Sequence, residues 1–142
     1  MEATLDRHRQ RPLHPVNAFF VSATVTLSLG ALLSDLAYAT SHQVQWSNFA
    51  SWFIAAGVLF CSVLLVFVLV GLRHADRRRG RYLLYGLVLL ATWVMSFVNS
   101  LIHSKDAWAV MPEGLIVSSI VLLLACVAAW MALFDLRFRD AP

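Results

Sequence analysis

Charged residues are scarce in this sequence of 142 residues. They make up 13% of the chain, about half the share of an ordinary globular domain, whereas 60% of the residues are hydrophobic. With a mean hydropathy of +0.72, the chain has more apolar surface than a small soluble domain could bury. Only two cysteines, four prolines and six glycines occur, which excludes a disulfide framework and a collagen-like repeat. The composition indicates an integral membrane protein.

Long apolar segments account for this composition. A helix needs about 20 apolar residues to cross about 30 Å of hydrocarbon. Four segments reach this length, at approximately residues 15–38, 48–72, 82–102 and 113–134. Because the connections are short, consecutive helices are expected to be antiparallel neighbours. The sequence therefore predicts an all-α fold, an antiparallel four-helix transmembrane bundle that forms a single domain over residues 1–142.

The basic residues predict the orientation of the bundle. All of them except Lys105 fall on one side of the membrane: Arg7, Arg9 and Arg11 before the first span, Arg73, Arg77, Arg78, Arg79 and Arg81 in the second loop, and Arg137 and Arg139 after the fourth span. The positive-inside rule then places both termini and the arginine loop in the cytoplasm. We expect this loop to contact anionic lipid headgroups in the bilayer, and we expect no nucleic-acid partner.

Small residues recur at every fourth position of the first span, at Ala18, Ser22, Thr26, Gly30 and Ser34. Helices in lipid associate through close backbone approach and van der Waals contact, which small residues allow. We interpret this small-residue row as a helix-to-helix seam. The two cysteines, inside spans two and four, are read as small hydrophobic residues.

Polar residues that could carry chemistry gather near the expected outer face. The cluster consists of Asp35, Asn99, His103 and Asp106, with His42 and Glu113 as additional candidates. Asn99 and His103 are four residues apart and share a helix face, and Asp35 ends the first span on the same side. One interpretation is a proton-handling or metal-holding centre with His103 as its titratable group. The other is a hydrogen-bonded clamp between spans one and three, in which Asp35 and His103 make a direct or water-bridged hydrogen bond.

Catalytic and cofactor sites are not indicated by the residue spacing. We expect no catalytic residue and no metal site, because a zinc site needs three or four ligands with matched geometry. Bis-histidine haem ligation is disfavoured as well, since His14 lies at the inner head of span one and His103 at the outer end of span three. His14 stays an additional site candidate at the inner interface, and haem stays an open alternative with unusual ligands.

Three stretches of the sequence carry a family resemblance. They are Leu13-His14-Pro15, WFIAAG at 52–57 and NSLIHSKDAWAVMPEG at 99–114. Together they resemble a bacterial membrane family catalogued as domain of unknown function two-two-three-one, over nearly the whole chain after the arginine-rich tail. The matched positions are His14, Pro15, Asp35, Asn99, His103, Asp106, Ala107, Trp108, Pro112 and Gly114. The chain departs from the pattern at Phe19 and Val21, where many members have a second His and Pro.

The resemblance implies four spans in the bacterial inner membrane and no established reaction. Genes of this family often lie near periplasmic sugar-type dehydrogenases with a quinone cofactor, which implies a supporting role in periplasmic oxidation. We therefore expect a non-catalytic partner or assembly subunit, with a periplasmic dehydrogenase or further copies of the chain as partners. A haem- or quinone-linked electron-transfer subunit and an oligomeric ion or small-solute pathway are the alternatives.

Overall fold

The computed structural model describes residues 15–73, 79–105 and 109–135, and they form four long helices. The helices are α1 (Pro15–Ser41), α2 (Val44–Arg73), α3 (Arg79–His103) and α4 (Glu113–Trp130), the last of which continues as a short π-helix (Met131–Asp135). All four are long and apolar enough to cross a membrane. The predicted all-α four-helix membrane bundle is confirmed.

The helices are antiparallel and form a closed ring. Each helix packs against the next one along the chain, and α4 packs against α1, which closes the ring. The bundle has two ends. We call the end that contains the α1–α2 and α3–α4 connections the two-loop end. The opposite end, where α1 begins and α2 ends, is the termini end. Asp35 and His103 belong to the two-loop end.

A tight turn joins α1 to α2. His42 adopts a left-handed backbone conformation with φ of 56°, and its N–H donates to the Tyr38 carbonyl over 2.8 Å. Such a residue commonly ends a helix by turning the chain away from the helix axis. Because α2 begins at Val44, only two residues separate the helices, and they must run antiparallel.

The buried face of α1 differs from the predicted small-residue row. Of that row, Ser34 is buried and Gly30 packs under the Phe53 ring, but Ser22 and Thr26 are exposed. Ser22 and Thr26, the row members toward the termini end, therefore do not lie on the face that α1 packs against the other helices. A helix turns about 100° per residue, so every fourth residue drifts by about 40° and the row leaves its face within a few turns. Apart from Ser34, the buried residues are separated by alternating steps of three and four: Val21, Thr24, Ser28, Ala31, Asp35 and Tyr38.

Two kinds of core fill the bundle. Toward the termini end lies an apolar core of Val21, Cys61, Leu64, Val68, Tyr85, Leu89, Ala128 and Ala132. Toward the two-loop end four polar residues, Asp35, Asn99, His103 and Ser118, are buried among apolar residues such as Tyr38, Ala50 and Val110. The outward faces carry many large apolar side chains, such as Trp52 and Leu123, as expected of helices whose solvent is lipid.

Candidate functional site

Asp35 lies at the centre of the polar core. It is in the last turns of α1, and none of its surface is exposed. A carboxylate at this position is unfavourable unless hydrogen-bonding partners or a compensating charge surround it. Its two oxygens receive partners from two different helices, α3 and α4.

His103 is the partner from α3. Its Nε2 lies 2.8 Å from Asp35 Oδ1, and its Nδ1 lies 3.0 Å from the backbone carbonyl oxygen of Asn99. A carbonyl oxygen only accepts hydrogen bonds, so Nδ1 must carry a proton. One further proton then lies between Nε2 and Oδ1. Whether the pair is written as imidazolium and carboxylate or as imidazole and carboxylic acid, its net charge is zero.

Ser118 is the partner from α4. Its hydroxyl donates to Asp35 Oδ2 over 2.5 Å and accepts a hydrogen bond from Asn99 Nδ2 over 2.8 Å. Asn99 thereby contributes twice, with its backbone carbonyl to His103 and with its side chain to Ser118. We call Asp35, Asn99, His103 and Ser118 the polar clamp, since together they join α1, α3 and α4.

Gly114 allows α4 to approach the clamp. A Cβ at this position would lie 2.7 Å from Val110 Cγ1 and 3.0 Å from His103 Cε1. Both distances are shorter than ordinary van der Waals contacts, so any larger residue would push the start of α4 away from the imidazole. The absence of a side chain at Gly114 therefore allows both the position of the His103 ring and the close packing of α4.

The other predicted site residues lie elsewhere. His42 is exposed in the α1–α2 turn, with its ring 6.4 Å from that of Tyr38. Glu113 lies at the surface and pairs with Lys105, with 3.7 Å between Nζ and Oε2. His14 and Asp106 lie outside the described residues.

Ser118 is the clamp member that sequence reasoning did not assign to the site. Serines in membrane helices usually donate to a carbonyl of their own helix, so the residue type alone does not mark this position. Ser28, Ser62 and Ser119 do so here. The sequence does contain an indication of this role. Ser118 follows Gly114 by four residues, and it lies close to the start of a helix that begins at the same membrane face as Asp35.

The hydrogen bonds of His103 determine what this ring would need in order to bind a metal or haem iron. Within the described ranges, no group of three or more His, Cys, Asp and Glu side chains could hold a metal ion. Both nitrogens of His103 already contact protein oxygens. Ligation of a metal or haem iron by this ring would require the bond to Asp35 or to the Asn99 carbonyl to break.

Comparison with known proteins identifies the family. A family model described as "Predicted membrane protein (DUF2231)" matches residues 10–133. The chain belongs to this family. The match spans all four helices and includes every member of the polar clamp. Neither the curated proteins nor the solved structures contain a significant match to the chain.

Proposed function

We propose that this DUF2231 protein is a non-catalytic partner or assembly subunit in the bacterial inner membrane. The observation that carries the proposal is that Asp35 and His103 are fully engaged within the polar clamp. Both Asp35 oxygens and both His103 nitrogens are engaged by groups of the chain itself. Catalytic groups must be able to meet a substrate or water, and the side chains of His103 and Asp35 are 1% and 0% exposed.

A fixed bundle suits a partner role because its surface is presented in one arrangement. In lipid, burial of apolar side chains does little to select one helix arrangement over another. A buried polar network adds that selectivity, because any other arrangement would leave its members unpaired. The clamp thus supports a protein whose function lies in the shape it offers to a neighbour.

The contact surface we propose is an aromatic patch on the first turns of α2. Trp46, Phe49 and Trp52 are all exposed there, and Trp52 is 72% exposed. If the arginine-rich side is cytoplasmic, this patch lies at the periplasmic face, where the dehydrogenases implied by the family resemblance work. Aromatic residues are enriched both at membrane interfaces and at protein contacts, so the patch suits a partner located at the membrane surface.

Photo-crosslinking in the native bacterium tests this proposal. A photoreactive amino acid at position 52 should give one protein adduct of discrete size, identified by mass spectrometry as a periplasmic oxidoreductase or its membrane subunit. Leu69 is the matched control, since it is 61% exposed on the same helix but near the termini end. Equal crosslinking at both positions, or lipid adducts alone at position 52, would contradict the proposal.

The absorbance spectrum of the purified protein tests the alternatives. We expect no Soret band. A stoichiometric haem band would instead support the electron-transfer subunit, and ion conductance of reconstituted liposomes would support the oligomeric pathway. Either result would overturn the partner role as the primary function.

The orientation has its own test. Gly80→Cys is suitable in a chain without Cys61 and Cys126, because a side chain at Gly80 meets no atom within 4 Å. Gln43→Cys in the exposed α1–α2 turn is the matched control. A membrane-impermeant maleimide added to intact cells with a permeable outer membrane should label position 43 only. Labelling of position 80 alone would reverse the topology.

A further inference from the structure

A small cavity lies between the helices beside the polar clamp. Its volume is about 10 Å³. This is roughly the space that one water molecule requires. Its polar lining comes from Ser28, Ser96, Asn99 and Ser118, and Gly57 and Val121 are among its other lining residues.

One polar atom of a residue that lines this cavity lacks a protein partner. Asn99 is 1% exposed, and its Oδ1 makes no hydrogen bond with any described residue. Exchanging the amide oxygen and nitrogen would not repair this. The Ser118 hydroxyl proton is given to Asp35, so Ser118 could not donate to an Oδ1 placed where Nδ2 now lies. The orphaned acceptor is a consequence of the clamp itself.

The serine hydroxyls around the cavity offer further acceptors. Ser28 donates its proton to the Thr24 carbonyl and Ser96 donates to the Thr92 carbonyl, each over 2.8 Å. With their protons engaged, both hydroxyl oxygens can still accept. The cavity therefore presents several acceptors in a space of molecular water size. A ligand that fits must be small and must donate at least two hydrogen bonds.

We propose that this cavity binds one ordered water molecule as the fifth member of the polar clamp. The water donates one hydrogen bond to Asn99 Oδ1 and the other to a serine hydroxyl oxygen of the lining. Buried waters in proteins characteristically satisfy polar groups of this kind. The clamp is then a hydrated network that extends from the two-loop end into the middle of the bundle.

Gly57→Ala tests the proposal because a wet and a dry cavity predict opposite effects. Gly57 lines the cavity, and an added Cβ would meet only Leu27 Cβ, at 3.9 Å, so a methyl group fits at the cavity wall, where we expect it to reduce the space inside. If the cavity is dry, filling it should raise the melting temperature in detergent. If it holds water, displacement of the water leaves Asn99 Oδ1 unsatisfied, and the melting temperature should fall.

The same substitution in an Asn99→Leu variant separates the effect of water displacement from the higher helix propensity of alanine. Asn99→Leu replaces the amide by an apolar group of similar size, and in that variant Gly57→Ala should raise the melting temperature. We expect Gly57→Ala to lower the melting temperature of the otherwise wild-type protein and to raise that of the Asn99→Leu variant. An equal increase in both would overturn the water site. If Gly57→Ala does not fold, Val121→Ile fills the same cavity from α4 and takes its place in the comparison.

Magnetisation transfer from water in lipid nanodiscs gives a direct readout. The chain has three asparagines, Asn17, Asn48 and Asn99, and loss of a signal in Asn99→Leu assigns the Asn99 side chain. We expect a water cross-peak at this amide in the wild type and its loss in Gly57→Ala. Exposed Asn48 is the positive control. An Asn99 cross-peak that is absent in the wild type, or that persists in Gly57→Ala, would contradict the proposal.

Discussion

The two halves of the bundle are held together by different interactions. Toward the termini end, Leu64, Leu89 and their neighbours pack as an apolar core. Toward the two-loop end, Asp35 joins three helices through His103 and Ser118. Apolar contacts in lipid are replaceable, because lipid tails are as apolar as the side chains. Buried polar groups have no such substitute, so the polar half should determine which helix arrangement is stable.

The largest effect is expected from removing one side of the Asp35–His103 pair. His103→Leu leaves the carboxylate without its main partner, and breaking a buried pair in this way costs about 3–5 kcal/mol in soluble proteins. The double variant Asp35→Leu, His103→Leu removes both members and should be more stable than His103→Leu alone. Unfolding in mixed detergent measures the free energies of unfolding of the wild type, the two single variants and the double variant. If the stability losses of the two single variants add up to that of the double variant, the pair does not couple α1 to α3.

Substitution of glycine should reveal the same contrast between the halves. Gly114→Ala brings a Cβ against both Val110 and His103, and overpacking of this kind costs about 1–3 kcal/mol. Gly86→Ala in the apolar half meets one atom, Val68 Cγ1, at 3.0 Å. Thermal unfolding should therefore show a greater loss for Gly114→Ala. If Gly86→Ala were the more damaging of the two, the close approach of α4 to the imidazole would not be critical.

The apolar half should tolerate a change of shape at nearly constant volume. Leu64 is 1% exposed, and Leu64→Met should cost less than about 1.5 kcal/mol because methionine adapts to irregular space. Asp35→Asn also preserves volume, but we expect it to lower the stability further since it alters the proton balance with His103. Equal melting temperatures for the two variants would remove the proposed difference between the halves.

The smallest effect is expected at the surface pair of the two-loop end. Lys105 and Glu113 are 54% and 63% exposed, with 3.7 Å between their charged atoms. Exposed pairs contribute about 0–1 kcal/mol because water and salt screen them. Lys105→Gln should leave the melting temperature nearly unchanged at physiological salt. A loss as large as that of Gly114→Ala would show that this pair, rather than the buried clamp, fixes the start of α4.

Much of the fold follows from the sequence because lipid constrains it strongly. Span length identifies the four helices, and antiparallel order brings Asp35 and His103 to one face. Rotation about the helix axis is harder to predict, as Ser22 and Thr26 illustrate, since it depends on how neighbouring side chains interlock. The role of Ser118 was missed for a related reason: a hydroxyl that crosses to another helix has the same sequence signature as one that bonds to its own.

Nitrogen-15 NMR of His103 in lipid bilayers tests the clamp most directly. The contact between Nδ1 and the Asn99 carbonyl requires a proton on Nδ1, and Nε2 shares its proton with Asp35. We predict a spectrum in which Nδ1 carries a proton and in which Asp35→Asn shifts the Nε2 signal but leaves Nδ1 protonated. A neutral ring with a bare Nδ1, or an Nε2 signal that does not respond to Asp35→Asn, would contradict the clamp.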